Sequence, residues 1–258
     1  MKSIHAHTME GVAEVTLDRR EVRNAFNDEV IGEFLETWKI LASDSDLRAM
    51  ILRTAGDTFC SGADLKWMKA MAGFGKEENL ADAGHLYDCM DGLFRLPVPT
   101  VCRVQGPAFG GALGLIAACD IVIASSEASF AFTEVRLGLA PAVISPFVAR
   151  KLDPAFLREV FLTGRRFSAI EARDHGLVTE VVGPEELDIA VDKTVLHLLK
   201  GSPEAQKAIK ELLDHLPFPS REEERRFTSA LIADLRAGKD GQEGITAFFE
   251  RRNPRWVK

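Results

Sequence analysis

The segment Gly106–Asp120, GPAFGGALGLIAACD, constrains the fold of this chain more than any other stretch of it. It follows a β-branched run, Thr100–Val104, and passes from glycines into small, apolar residues that would be buried on every side of a helix. A strand, a glycine turn and a buried helix would set the N–H groups of Gly110 and Gly111 at a helix N-terminus, where backbone donors are unpaired. On its own, the glycine pair favours tight helix–sheet packing over ligand binding.

Composition and charge limit the classes of function. Of the 258 residues, 46% are hydrophobic, which is enough for one large core or for one domain with a smaller appendage. The net charge of −7 argues against a general nucleic-acid binder. The four cysteines lack CxxC spacing, so we expect a reducing compartment rather than a disulfide framework or a zinc site. Without an apolar signal core or an apolar run near ~20 residues, the chain is expected to be cytoplasmic and to lack a membrane span.

Hydrophobic periodicity predicts strands and helices that alternate through most of the chain. Asn27 is predicted to cap one helix, and Ser168 with Glu171 forms a capping box for another that ends near Gly176. Strands separated by helical segments favour parallel crossovers, either in ββα units or in a doubly wound sheet. The predicted strands are Val12–Leu17, Ala49–Thr54, Thr100–Val104, Asp120–Ala124, Ser129–Phe132 and Leu177–Val182.

A purely helical region is predicted from about residue 197, because no strand pattern follows. Ser202 and Pro203 suit the start of a helix. We therefore divide the chain into an α/β core, residues 1–196, and a helical C-terminal region, residues 197–258. Because ~60 residues cannot bury so much apolar surface alone, this region is expected to dock onto the core or a partner subunit. The apolar side chains expected to be exposed are Leu212, Leu213, Phe227, Leu231, Phe248 and Phe249.

Three features could meet at the carboxyl edge of one sheet and form a catalytic site. Ser61–Asp64 and Gly110–Gly111 each follow a predicted strand, and paired backbone donors can stabilise an oxyanion or an enolate. Glu134 follows another predicted strand and has apolar neighbours. Partial burial would raise its pKa and suit it to general acid–base catalysis, whereas the alternative is a surface or ion-paired glutamate.

Other chemistries find no support in the sequence. It lacks the GxSxG pattern of serine hydrolases and the HExxH or HxxxH spacing of metal sites. It also lacks GxGxxG and GxxxxGK[ST], the phosphate-binding patterns of dinucleotide and nucleotide sites. We therefore expect neither a metal nor a separate cofactor.

Six motifs follow one another along nearly the whole chain. They are RREVRNAFN at 19–27, FCSGADLKWM at 59–68, QGPAFGGALGLIAACDIVIA at 105–124, FAFTEVRLGLAP at 130–141, FLTGRRFSAIEARDHGLV at 161–178 and GQEGITAFFERR at 241–252. Together they resemble the enoyl-CoA hydratase/isomerase (crotonase) family. The resemblance implies an α/β fold built as a spiral of ββα units with a C-terminal helical trimerisation region. It also implies a homotrimer, or a hexamer made of two trimers.

The resemblance further implies an acyl-CoA thioester as substrate, with coenzyme A carried as part of it. By motif position, the N–H groups of Ala63 and Gly111 form an oxyanion hole that stabilises the enolate, and loss of one donor typically costs ~3 kcal/mol. Glu134 is the implied catalytic residue. Lys66 and Arg251 could meet the CoA phosphates, or could be solvated surface charges. The residues implied to bind substrate or CoA are Val22, Arg23, Asp64, Leu65, Lys66, Gly110, Gly114, Phe248 and Arg251.

Two departures from the family pattern concern the reaction. Typical family hydratases carry two glutamates, of which the second matches Glu134, whereas Gly114 stands where the first would fall. The glycine run that often follows the proline at position 141 is replaced by Ala142-Val-Ile-Ser-Pro146. A missing glutamate is expected to leave room for a branched or longer acyl chain. FGGALGL followed by APAVISPF looks most like a bacterial methylglutaconyl-CoA hydratase-like branch linked to leucine or isoprenoid breakdown.

The sequence therefore favours a 2-enoyl-CoA hydratase. A Δ3–Δ2 enoyl-CoA isomerase is the alternative within enzymes, because one glutamate can take a proton from one carbon and return it to another. An acyl-CoA-binding or RNA-associated protein without catalysis is the alternative from another class. Gly114 favours that last alternative, and the acidic net charge argues against RNA.

Overall fold

Two β-sheets and eleven α-helices make up residues 1–257 of the computed structural model, the part of the chain that the structure describes. The strands are β1 (Ile4–Met9), β2 (Val12–Leu17), β3 (Ala49–Thr54), β4 (Thr100–Val104), β5 (Ala108–Phe109), β6 (Ile121–Ser125), β7 (Ser129–Ala131), β8 (Phe167–Ser168) and β9 (Glu180–Val182). The helices are α1 (Asp28–Ser43), α2 (Leu65–Met71), α3 (Lys76–Phe94), α4 (Ala112–Ala118), α5 (Ser145–Val148), α6 (Pro154–Thr163), α7 (Ala169–Asp174), α8 (Leu187–Leu198), α9 (Pro203–Asp214), α10 (Arg221–Ala237) and α11 (Lys239–Glu250).

The larger sheet has six strands in the order β1-β2-β3-β4-β6-β9. Only its first pair, β1 with β2, is antiparallel, and every later pair is parallel. The smaller sheet has the order β5-β7-β8, with β5 parallel to β7 and β7 antiparallel to β8. Successive parallel strands need crossovers, so the α/β class predicted from the sequence is confirmed.

Three strands, β1, β5 and β8, were not predicted from the sequence, and the last strand is shorter than predicted. The pattern did not reveal β1, because only Ile4 of this edge strand is buried and no apolar alternation marks it. The last strand is shorter than the predicted Leu177–Val182. The N–H groups of Leu177 and Val178 donate to the carbonyl of Ala172 and close the end of α7, so β9 starts at Glu180.

Local signals place the helix starts as predicted. The Oδ1 atom of Asn27 accepts a hydrogen bond from the N–H of Val30 at 3.0 Å and caps α1. Ser168 and Glu171 form the predicted capping box at α7. The hydroxyl of Ser202 accepts from the N–H of Ala205 at 3.1 Å at the start of α9.

The core explains why α4 can be uniformly apolar. All seven of its residues are buried, as the sequence predicts for a helix in this position. The strands β3 and β4 are almost continuously buried, because helices cover both faces of a largely parallel sheet. On one of those faces, Ile51, Val101 and Ile123 pack with apolar residues of α8. The four cysteines are buried free thiols.

The C-terminal helices α9, α10 and α11 pack against one another and form an arm. The Lys210 ammonium joins this arm to the core through the carboxylate of Asp120 at 2.7 Å. The Phe227 ring, which was expected to be exposed, is half-buried because it packs on His215 and Phe218. Leu212 and Leu231 are half-buried as well. Leu213, Phe248 and Phe249 are exposed, with the two phenylalanines at 78%.

The helices of residues 1–257 include none with the length and apolar character needed to cross a lipid bilayer.

Candidate active site

The N–H of Ala63 has no hydrogen-bond partner within residues 1–257, because the backbone here pairs with Phe26 through Gly62 and Asp64. On one side, the N–H of Phe26 donates to the carbonyl of Gly62 at 2.8 Å, and the N–H of Asp64 donates to the carbonyl of Phe26 at 2.6 Å. Successive peptide groups of an extended chain point to alternate sides. The N–H of Ala63 therefore points away from Phe26, toward the side on which residues 107–111 run.

The second donor, Gly111, stands where a turn becomes a helix. Gly110 adopts a left-handed conformation, with φ of +56°, that favours glycine, and its N–H donates to the carbonyl of Ala131 at 2.9 Å. Gly111 follows as the cap of α4, and the first N–H groups of a helix have no acceptor within it. Among residues 1–257, no hydrogen bond uses the N–H of Ala63 or of Gly111.

The two donor segments are also paired with each other. The N–H of Cys60 donates to the carbonyl of Pro107 at 3.2 Å, and the N–H of Phe109 donates to the carbonyl of Cys60 at 3.0 Å. A Cβ added to Gly62 would lie 3.2 Å from the carbonyl oxygen of Phe109. The segments that carry Ala63 and Gly111 therefore lie side by side, as the sequence predicted for two turns at one sheet edge.

Asp64 holds in place the loop of residues 61–64 that carries the Ala63 N–H, which we call the donor loop. Its carboxylate accepts from the N–H of Lys66 at 2.8 Å and pairs with the Arg19 guanidinium at 3.2 Å. Burial acts to raise the pKa of Asp64, but hydrogen bonds from the backbone of Lys66 and Trp67, together with Arg19, leave that pKa below its usual value. The expectation that Asp64 lines the CoA moiety stays a prediction, and its carboxylate is engaged with Arg19 and the start of α2.

Asn24 fixes the chain that leads into this region. The residue is fully buried with a φ of +55°, and its amide nitrogen donates to the carbonyls of Ala55 and Thr58 at 2.7 and 2.8 Å. Its amide oxygen accepts from the N–H of Arg19 at 2.9 Å. Every polar atom of the Asn24 side chain is thereby used to position residues around the donor loop.

Glu134 lies beside the donors on a short 3-10 turn, Glu134–Leu137, that follows β7. Its Oε1 atom is 3.3 Å from the position that a Cβ on Gly110 would occupy. Its Oε2 atom is buried and has no hydrogen-bond partner within residues 1–257. Burial raises the pKa of Glu134 above its ordinary value. This environment matches the sequence expectation for a proton-transferring carboxyl group, whereas its catalytic role stays a prediction.

The space next to Gly114 is filled. A Cβ on this buried residue would lie 2.5 Å from Cγ2 of Ile144 and 3.0 Å from the sulfur of Met90. The expectation that Gly114 leaves room for a larger acyl chain is therefore wrong at this position, because Ile144 and Met90 occupy that room. A glutamate side chain would not fit there either unless Ile144 moved.

The remaining predicted residues fall into two groups. Val22 and Arg23 lie next to the donor loop, since the N–H of Ser61 donates to the carbonyl of Arg23 at 3.0 Å. Leu65 and Lys66 are exposed at the start of α2. Phe248 and Arg251 are at the end of α11, in the arm. The residues at 22, 23, 65 and 66 therefore lie near the donor loop. Phe248 and Arg251 lie in the C-terminal arm of the same chain.

Sequence reasoning overlooked three residues of this region: Phe26, Asn24 and Ile144. Phe26 was seen only as part of a motif, yet its backbone pairs with Ala63 and its ring contacts Gly111. The conformation of Asn24 could not be read from its identity. Ile144 touches Gly114 across 30 positions of sequence, and only the two departures from the family pattern hinted at a link between them.

Neither the cavity described next nor a cluster of metal-ligating side chains identifies the candidate site within residues 1–257. A cavity of about 800 Å³ lies between the end of α4, the end of α3 and α9, and its walls include neither donor residue nor Glu134. Within residues 1–257, no three His, Cys, Asp or Glu side chains are grouped so that they could hold a metal ion. The candidate site therefore consists of the two free N–H groups and the unpartnered Glu134 oxygen.

Comparison with known proteins gives matches along almost the whole chain. The family model described as Enoyl-CoA hydratase/isomerase matches residues 7–258. The crystal structure of an enoyl-CoA hydratase from Shewanella pealeana superposes with a TM-score of 0.95 at 39% identity, covering 98% of this chain and 96% of that one.

Two curated relatives carry names of different reactions. The carnitinyl-CoA dehydratase of Proteus mirabilis is 32% identical over 263 residues, covering 99% of this chain and 98% of its own. The trans-2-decenoyl-acyl-carrier-protein isomerase of Streptococcus mutans is 30% identical over 258 residues, again covering 99% and 98%. Similar chains of this fold thus carry names of a hydratase, a dehydratase and an isomerase.

Proposed function

Because the chain belongs to the enoyl-CoA hydratase/isomerase (crotonase) family, we propose that it is an enzyme that hydrates a 2-enoyl thioester of coenzyme A. The observation that carries this proposal is the pair of free N–H groups, on Ala63 and Gly111, beside one buried carboxyl group, that of Glu134. A polarised carbonyl and a proton carrier next to it are the two elements that this chemistry needs.

The donors would act on the thioester. Its carbonyl oxygen would accept hydrogen bonds from the N–H groups of Ala63 and Gly111. Addition of water at C3 places negative charge on that oxygen, as an enolate. Donors that are already fixed and face the developing charge stabilise the transition state more than the ground state.

Glu134 would carry the proton. Its carboxylate takes a proton from the attacking water while the water oxygen bonds to C3, and the carboxyl group then gives that proton to C2 of the enolate. One group can serve both steps because the proton that it takes is the one that it returns. The unpartnered Oε2 atom offers an acceptor for the water, and the raised pKa of Glu134 makes its carboxylate a stronger base toward that water.

Isomerisation is the second candidate, and the filled space at Gly114 favours it. Ile144 and Met90 occupy the position where a second carboxylate would stand. The Asp64 carboxylate is engaged with Arg19 and the start of α2, so Glu134 is the carboxyl group left for proton transfer. An isomerase needs one base, which removes a proton from C2 of a 3-enoyl thioester and returns it to C4. Both candidates use the same donors and differ in whether water adds.

The finer assignments rest on the motifs. We propose 3-methylglutaconyl-CoA as the first substrate to test, because FGGALGL and APAVISPF resemble that branch. Coenzyme A enters as part of the substrate, with Lys66 and Arg251 as cations for its phosphates. We also propose a homotrimer or a hexamer, because the exposed Phe248 and Phe249 need apolar cover.

The test uses the full chain with crotonyl-CoA, 3-methylglutaconyl-CoA and a 3-enoyl-CoA. Loss of enoyl absorbance with gain of one water in the mass supports hydration, and conversion of the 3-enoyl ester at unchanged mass supports isomerisation. Glu134→Gln is expected to lower kcat by about 10²- to 10⁴-fold. Glu127→Gln, at an exposed position between β6 and β7, is the matched control and should keep full activity. Binding without turnover of any ester would instead support a non-catalytic acyl-CoA-binding protein.

A further inference from the structure

Phe26 is the residue that touches both donor segments. Its N–H and its carbonyl pair with the residues on either side of Ala63, at 2.8 and 2.6 Å. Its ring faces the other donor, since a Cβ on Gly111 would lie 3.5 Å from the Cδ2 and Cε2 atoms of that ring. Gly111 has no side chain, and within residues 1–257 the Phe26 ring is the nearest neighbour of the position that a Cβ would take, at ordinary van der Waals distance.

Phe26 is itself held from both directions along the chain. Before it, the carbonyl of Ala25 accepts from the Arg19 guanidinium at 2.5 Å, and the Asn24 side chain is fully hydrogen-bonded. After it, Asn27 caps α1. The residue is only 4% exposed and belongs to the hydrophobic core, so its ring is enclosed by close-packed neighbours.

The three contacts form a closed triangle. Residues 60–62 contact residues 107–109 through the backbone, residues 62–64 contact Phe26 through the backbone, and Phe26 contacts Gly111 through its ring. Two sides of this triangle are set by hydrogen bonds, whose lengths vary little. The third side is set by the size of one side chain. The separation of the two donors therefore depends on the ring at position 26.

We propose that Phe26 is a positioning residue that sets the distance and angle between the N–H groups of Ala63 and Gly111. The inference rests on the proposed function, because it assigns to those N–H groups a shared carbonyl oxygen. Removing the ring withdraws the support of Gly111 while leaving both donors present. Catalysis is sensitive to such displacement, since a shift near 1 Å can cost about 100-fold in rate.

The test compares Phe26→Ala with Phe34→Ala in the full chain. Phe34 is an equally buried phenylalanine that stacks on Trp38 in α1 and contacts neither donor in the interactions described above. Both variants are expected to lower Tm by similar amounts. Only Phe26→Ala should lower kcat, by about 10- to 100-fold, with KM within a few-fold. Phe26→Leu, which retains more of the contact and folds more readily, should give a smaller loss of kcat.

A second readout separates positioning from stability. A chromophoric enoyl-CoA shifts its absorbance to longer wavelength when its carbonyl is polarised, and binding alone is enough to observe the shift. We expect the shift to shrink in both Phe26 variants and to stay unchanged in Phe34→Ala. An undiminished shift in Phe26→Ala would overturn the inference. Absence of a shift in the wild-type protein would instead overturn the assigned donors, and absence of turnover with a normal shift would overturn only the proposed reaction.

Discussion

On the donor side of the proposed site, the groups assigned a function belong to the main chain, whereas the proton side depends on one side chain. The N–H groups of Ala63 and Gly111 are directed by hydrogen bonds of their neighbours, which the strand pairing requires. Glu134 lies on a short 3-10 turn, and its Oε2 atom has no partner among residues 1–257. One side is therefore fixed by backbone geometry, and the other is held mainly by packing.

The candidate site also has two different kinds of surroundings. Polar side chains brace the donor side, where Arg19, Asn24 and Asp64 share hydrogen bonds. Apolar side chains instead surround the helix that follows Gly111, where Ile144 and Met90 form an apolar wall that fills the space at Gly114. We expect changes on the donor side to alter turnover more than changes in the apolar wall, and changes in that wall to alter mainly stability.

The largest expected effect comes from removing one donor. Gly111→Pro deletes the N–H at a φ of −52°, which proline accepts, and should lower kcat/KM by about 10²- to 10³-fold. Gly111→Ala is the matched control, because it keeps the N–H and its Cβ makes an ordinary 3.5 Å contact with the Phe26 ring. Steady-state kinetics with the preferred enoyl-CoA compare the two. Equal activity of both variants would remove Gly111 from the oxyanion hole.

The next effect concerns the apolar wall. Gly114→Ala brings a methyl group within 2.5 Å of Ile144 and should reduce the free energy of unfolding by about 1–3 kcal/mol. In Ile144→Ala the obstructing Cγ2 atom is absent, so the double variant should lose about 1–2 kcal/mol less than the sum of the single losses. Urea denaturation of the four proteins measures this coupling. Strict additivity would contradict the contact.

A smaller effect is expected from removing the ion pair between Asp64 and Arg19, which stabilises the donor loop. Asp64→Asn keeps the cap of α2, since asparagine caps helices well, but loses the ion pair with Arg19. We expect a loss of ~1 kcal/mol in the free energy of unfolding and a fall of a few-fold in kcat/KM. Asp91→Asn, which removes an exposed pair with Arg95, is the control. If both variants behave alike, Asp64 does not brace the donor loop.

The smallest effect is a pH dependence of stability that comes from Glu134. Burial raises the pKa of Glu134 in the folded state above the ordinary value of 4.5. Between pH 4.5 and the higher pKa of the folded state, Glu134 is ionised in the unfolded chain but largely protonated in the folded chain. The free energy of unfolding therefore falls as pH rises through this range, and the contribution of Glu134 is constant above it. Glu134→Gln should therefore match the wild type in Tm below pH ~4.5 and have a higher Tm than the wild type near pH 7.

Thermal unfolding at several pH values measures this difference. Glu127→Gln, which removes an exposed carboxylate, serves as the control for loss of charge alone. A Glu134→Gln variant that becomes less stable than the wild type as pH rises would mean that the carboxylate gains a favourable partner in the fold.

Much of the fold could be predicted because its signals are local. The caps at Asn27, Ser168 and Ser202 depend on neighbours within three residues, and all three are confirmed. The buried helix α4 follows from its composition. Strand β1 was missed because an edge strand with one buried residue carries no alternation.

The site was only partly predictable, for the same physical reason. The glycines at 110 and 111 and the apolar flanks of Glu134 are visible in the sequence. The contact of Gly114 with Ile144 and the pairing of Phe26 with Ala63 join positions that are 30 and 37 residues apart, and no local pattern encodes them. Expectations about free space beside the donors therefore failed where a distant side chain filled it.

A main-chain donor has a consequence for how such a protein can evolve. A codon change at position 63 or 111 replaces a side chain but retains the N–H, with proline as the exception. A codon change at position 134 can abolish the proton carrier in one step. If the proposed roles hold, substitutions near Glu134 can thus change the reaction while the two N–H groups that would hold the thioester are retained.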